Sequence, residues 1–250
     1  MHEKNTSYTI KSVENALCIL DAISEEGRDF SISTLSHKLG MARSYIFRML
    51  ATFEKCGYVQ QDRPNGQYRA GLSAYQTGGR FLRQQLLVQQ ARPLMETLAR
   101  DCNEAIYLVV PGKTDVLFLD LVESKHQVQV KSLVGNIYPL ESCSAGQVIK
   151  SFRDEPYSLT AQLKKIRRQE YCFDRGILEE GVASVSVPIF SSKEQVACCF
   201  CLVAPVFRLN KKIVEQTYLP LMENASQSVS IKQGYYRQSV GRSGVLSAYL

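Results

Sequence analysis

Arg43, Ser44, Tyr45, Phe47 and Arg48 fall within one short stretch, and Ser33, Arg63 and Arg69 lie close by in this 250-residue chain. Guanidinium groups pair bidentately with phosphate or with the guanine edge, and hydroxyls take a phosphate or a base edge. Between Phe30 and Gln90 the cations are Lys38, Arg43, Arg48, Lys55, Arg63, Arg69, Arg80 and Arg83, against only Glu54 and Asp62. Their balance equals the formal net charge of the whole chain, +6, so all other segments sum to zero. Clustered cations gain affinity for a duplex by displacing its counterions, and the pattern points to double-stranded DNA. The bland alternative is a solvated cationic face on a protein-interaction module, which leaves the localisation of the charge without a reason.

A second set surrounds Cys143-Ser144-Ala145-Gly146. Small residues at a helix start expose backbone amides of partial positive charge, which suit a carboxylate. The same position would activate the Cys143 thiol as a nucleophile if the helix terminus lowered its pKa. The alternative is a small-residue helix entry that lets a ligand approach the backbone. No partner for a nucleophile is visible: the histidines are His2, His37 and His126, none beside a Ser or Cys in a recognisable motif. Gly-rich phosphate loops are absent, and Cys198, Cys199 and Cys201 sit in an apolar run as small hydrophobes. The expectation is a non-enzyme without catalytic residues, metal or cofactor.

The elements that position these residues follow from spacing. Ser12 caps a first helix with Val13, Ala16, Leu17, Leu20 and Ile23 on one face, stopped by Gly27. Ser33 caps a short second helix with Leu35 and Leu39 inward, and Gly40 turns the chain. A third helix, about Arg43 to Cys56, buries Ile46, Met49, Leu50 and Phe53 and leaves Arg43, Ser44, Tyr45, Phe47, Arg48 and Thr52 on its outer or N-terminal side. Tyr58–Asp62 and Gln67–Ala70 form a hairpin around Pro64-Asn65-Gly66. A mixed segment with Gly78-Gly79 precedes a helix from Phe81 to Gln90, and Pro93 suits the start of the next, Leu94 to Cys102. Strands are expected at Ala105–Val110, Val116–Val122, Val128–Val134, Gly181–Phe190 and Gln195–Ala204. Helices are expected from Ser144 to Phe152, over Ala161–Gln169 and from Lys211 to Gln233. The fold class is α+β: a winged helix-turn-helix over 9–72, a linker helix over 73–92, a sheet domain over 93–236 and a polar tail over 237–250.

Bulk composition agrees with a globular chain, since 45% hydrophobic and 22% charged residues exclude disorder. No apolar run approaches the roughly 18 residues of a membrane span, and Met1 to Lys11 lacks an apolar signal core. The expected setting is the cytoplasm, with reduced thiols and no membrane.

Several stretches resemble the IclR family of bacterial transcriptional regulators. They are Ser12-Val13-Glu14-Asn15-Ala16-Leu17 with Ile19-Leu20, Leu35 to Gly40, Ser44 with Arg48-Met49-Leu50, Gly57-Tyr58-Val59, and Gly66-Gln67-Tyr68-Arg69-Ala70-Gly71-Leu72. The resemblance continues into the second domain. It implies a winged helix on an operator, a linker helix with dimer contacts, and a GAF-like mixed-sheet domain that binds a small organic acid. It implies a homodimer or a dimer of dimers. It carries over Ser144, Ala145, Gly146, Asp174, Val182, Ser184, Cys201 and Val203 as pocket-lining positions. The chain departs from the family twice. Only 24 residues separate Gly146 from Tyr171, where the family holds a longer helical excursion. Glu170 stands where the family has Gly before an aromatic, so the sequence predicts an altered turn.

Overall fold

A computed structural model describes residues 9–26, 29–62, 64–84 and 86–235, in two compact units, Met1–Gln84 and Gln85–Leu250. The expected stop at Gly27, Arg63 and the 237–250 tail lie outside the described residues.

The first unit is built from α1 (Lys11–Glu26), α2 (Ile32–Leu39), α3 (Arg43–Lys55), β1 (Val59–Asp62), β2 (Gln67–Ala70) and α4 (Leu72–Gln84). Ile19, Ala22, Ile23, Phe30, Leu35, Ile46, Leu50, Val59 and Tyr68 make its core. The inward face of α1 begins only at Ile19. Val13 and Leu17, expected inside, are 52% and 57% exposed and line up with exposed Ile10. Helical spacing marks a stripe but not what covers it. Ser31, not Ser33, caps α2: its hydroxyl accepts from Thr34 N at 3.0 Å. The hairpin turn takes its expected form, with Gly66 at φ +70° and its N–H donating to Asp62 O at 2.8 Å. Phe30 bridges to Tyr68 by two backbone bonds of 2.9 and 2.8 Å, fixing the hairpin to the helices. The Gly78-Gly79 segment, expected to be mixed, is helical within α4.

The second unit starts with α5 (Leu86–Cys102), and Pro93 sits inside that helix rather than starting one. β3 (Ala105–Pro111), β4 (Asp115–Val122), β5 (Ile137–Pro139), β6 (Cys172–Arg175), β7 (Val182–Phe190) and β8 (Val196–Pro205) form one sheet in the order β5-β4-β3-β8-β7-β6. Every pairing is antiparallel, so the sheet is not mixed. Val128–Val134, expected as a strand, carries none. α6 (Ser144–Arg153) and α7 (Ala161–Gln169) cover one face. α5 covers the other, together with α8 (Lys211–Ile213), a π turn at Val214–Tyr218 and α9 (Leu219–Lys232). Period-two alternation divides β8 between these layers: Cys198, Phe200, Leu202 and Ala204 face α5 and α9, while Cys199, Cys201 and Val203 face α6. Burial on both faces explains the near-continuous apolar runs of β7 and β8. Of the eight cysteines, Cys18 and Cys56 are exposed and the other six are buried in this second unit.

Glu170 ends α7 at φ +62°, its N–H donating to Ile166 O at 2.8 Å. The turn is therefore the left-handed one a glycine would make, and a side chain bears it at a cost of about 1 kcal/mol.

Candidate functional site

On the first unit, Gly40 at φ +63° ends α2 and lets α3 leave with its outer side clear of the core. Arg43, Ser44, Phe47 and Arg48 are exposed there. Arg43 Nη2 donates to Ser33 Oγ at 3.0 Å, so the guanidinium is held against the N-terminal turn of α2. Ser31, Ile32, Ser33, Arg43, Ser44, Phe47, Arg48 and Gly66 of the hairpin surround a concavity of about 650 Å³. Tyr45 differs from its expected placement: it is half-buried against the core, and its hydroxyl accepts from Asn15 Nδ2 at 3.2 Å. Met49 and Phe53 are half-buried rather than fully inside. Arg69 is exposed on β2 and donates to Gln60 Oε1 across the hairpin at 3.0 Å. Sequence reasoning missed Ser31 and Ile32, although a serine directly before the helix is a favoured N-cap.

On the second unit, register assembles the other set. One rung of the sheet runs Asp174, Ser184, Val203, Ala105, and the next runs Cys172, Ser186, Cys201, Tyr107. Val182 lies one rung further on the same face. The N-terminus of α6 crosses these rungs. Ser144 Oγ is 2.7 Å from both Ser184 Oγ and Ser186 Oγ, and 3.8 Å from Cys201 Sγ. Gly146 lets α6 lie close against the segment that leads into it, because a Cβ there would stand 2.4 Å from Leu140 O. Ser186, missed in sequence, lies two residues beyond Ser184, where strand periodicity places it on the same face.

Proton accounting gives this row a direction. Ser184 donates its single hydroxyl proton to Asp174 Oδ2 at 3.2 Å. Ser144 must then donate to Ser184, and Ser186 to Ser144. Asp174 Oδ1 also accepts from Ile177 N at 2.8 Å. The carboxyl is 2% exposed, and burial pushes its pKa up against these hydrogen bonds, which pull it down. Among the described residues no buried side-chain nitrogen or oxygen lacks a partner.

Cys143 is no activated nucleophile. It caps α6 by accepting from Gly146 N at 3.3 Å, yet burial raises its thiol to about 11, outweighing the helix terminus. At the Ala105 end of one rung and the Leu121 end of the next, which Tyr107 reaches through β4, opens a cleft of about 410 Å³, lined from the following loop by Glu123, His126, Gln127, Gln129, Val130, Lys131 and Ser132. This loop is pinned at its base. Arg208 donates to Glu104 through Nε at 2.7 Å and Nη2 at 3.0 Å, and through Nη1 to Val128 O at 2.9 Å.

Residues 12–63 match the IclR helix-turn-helix domain, and 79–158 and 154–231 match the bacterial transcriptional regulator IclR C-terminal domain. The HTH-type transcriptional regulator KdgR of Escherichia coli (strain K12) is 25% identical, with 91% of this chain and 94% of that protein covered. The crystal structure of an IclR transcriptional regulator from Alicyclobacillus acidocaldarius superposes with a TM-score of 0.81 at 20% identity, over 91% of this chain and 100% of that one. An IclR homolog from Microbacterium hydrocarbonoxydans, solved in complex with 4-hydroxybenzoate, gives a TM-score of 0.75 at 18% identity, over 89% and 99% of the two chains. No helix among the described residues is long and apolar enough to cross a membrane.

Proposed function

The chain belongs to the IclR family of bacterial transcriptional regulators, and from that premise we propose that it is a cytoplasmic DNA-binding regulator whose second domain senses a small hydroxy acid. That it regulates transcription by binding DNA, and is not an enzyme, follows from the family and from curated relatives. The sensing rests on one observation above the others: Ser144, Ser184, Ser186 and Asp174 form a buried polar row on the sheet rungs that end at the cleft.

A ligand entering from the cleft would lie along the rungs with Ala145, Val182, Cys201 and Val203 as apolar walls. Because each polar group in the row already has a partner, a simple fatty acid would break bonds without replacing them. A hydroxyl can accept from Ser144 or donate to Asp174, and the α6 terminus favours the acid group. The homolog bound to 4-hydroxybenzoate, a hydroxylated acid, supports this ligand class. The closed row also supports a second reading, an assembly domain that senses nothing.

Titrating lactate, pyruvate, gluconate and 4-hydroxybenzoate into the protein–DNA complex separates the two. At least one acid is expected to change DNA affinity about tenfold, and Asp174→Asn is expected to abolish that response while the fold stays intact. A response unchanged in Asp174→Asn would move the pocket elsewhere, and silence to every such acid would favour the assembly reading.

We also infer at least a dimer on two half-sites, because exposed Ile10, Val13 and Leu17 make an apolar stripe along α1 and one winged helix contacts few base pairs. Sedimentation at micromolar concentration is expected to give a dimer or larger, and a monomer that stays monomeric on DNA would refute it.

A further inference from the structure

The outer side of α3 is not uniformly polar. Phe47 stands there 54% exposed, one turn after Arg43 and Ser44 and beside Arg48. The core of the unit takes Ile46 and Leu50 from the same helix and leaves Phe47 out. With Ile32 of α2, the ring is the apolar part of the concavity's lining, whose polar part is Ser31, Ser33, Arg43, Ser44 and Arg48. The cations and hydroxyls of the lining suit phosphates and polar base edges, but its apolar part offers them nothing. In the major groove a base pair displays donors, acceptors and a single apolar group, the 5-methyl of thymine.

We propose that Phe47 and Ile32 receive a thymine 5-methyl group, so that the protein requires thymine at one step of each half-site. The inference rests on the DNA-binding reading above and assigns one base to one side chain. Arg43 and Arg48 belong to the same lining, and their charge holds the duplex against it. Burying one methyl group changes affinity by about three- to fivefold.

The test uses the full-length protein and a duplex enriched by it from a random-sequence pool. Each thymine is replaced in turn by deoxyuridine, which removes only the methyl group, and affinity is read by fluorescence anisotropy at fixed salt. One position per half-site is expected to lose about three- to fivefold with the wild type. Phe47→Ala is expected to bind the thymine and uracil duplexes equally, and Phe47→Leu to keep part of the difference. Indifference of the wild type to every replacement would overturn the proposal. So would an unchanged uracil penalty in Phe47→Ala, or an enriched half-site without thymine. Failure to enrich any sequence is a separate result, which would remove the DNA-binding reading and this proposal together.

Discussion

Replacing Arg43 and Arg48 together by alanine is expected to weaken specific DNA binding by about 10²- to 10⁴-fold. Each guanidinium that reads a base edge or a phosphate contributes roughly 1–3 kcal/mol, and both sit on the one helix face that the core leaves clear. Arg43 is also held by Ser33 Oγ, so less freedom is lost when it meets its target. The loss should be accompanied by a shallower dependence of affinity on salt, because fewer counterions are released. Stability should hardly change: neither residue pairs with a buried carboxylate, and alanine favours a helix. Anisotropy titrations at several salt concentrations read both effects. Wild-type affinity in the double variant would mean that α3 does not read the DNA.

The second large effect is on the sheet domain. Arg208→Met is expected to destabilise it by about 3 kcal/mol, because the Glu104 carboxylate, its side chain only 3% exposed, loses a two-pronged partner. Removing both charges in Arg208→Met/Glu104→Leu should restore most of the loss, since the cost lies in the stranded charge rather than in the missing contact. Urea denaturation of the three proteins measures it. A single variant within about 0.5 kcal/mol of the wild type would show that Glu104 relaxes to water.

The two units were not equally legible in the sequence. In the first, the α2–turn–α3 pattern and the Asn-Gly hairpin are local signals, and local chemistry decided them. α7 likewise spans Ala161–Gln169 as its spacing predicts. The failures share one origin, the decision of tertiary contacts over local pattern. Val128, Val130 and Val134 alternate like a strand, yet Arg208 holds the Val128 carbonyl and Leu133 is buried, so the segment becomes a loop over the cleft. Gly78-Gly79 and Pro93 read as breaks but lie inside helices. The helix start at Ser144 is a local signal, whereas Asp174, Ser184 and Cys201 follow only from family resemblance. Only strand register shows why Asp174, Ser184 and Cys201, distant in sequence, belong together.

The placement of cysteine makes the chain a ready-made reporter. Cys18 on α1 and Cys56 at the end of α3 are exposed, whereas the other six thiols are buried. Burial raises Cys102, Cys172 and Cys201 to about 12, which leaves almost no thiolate at neutral pH. A maleimide dye is therefore expected to mark the native protein on its winged helix and leave the sheet domain dark, so fluorescence follows one unit of the molecule without a single residue being changed.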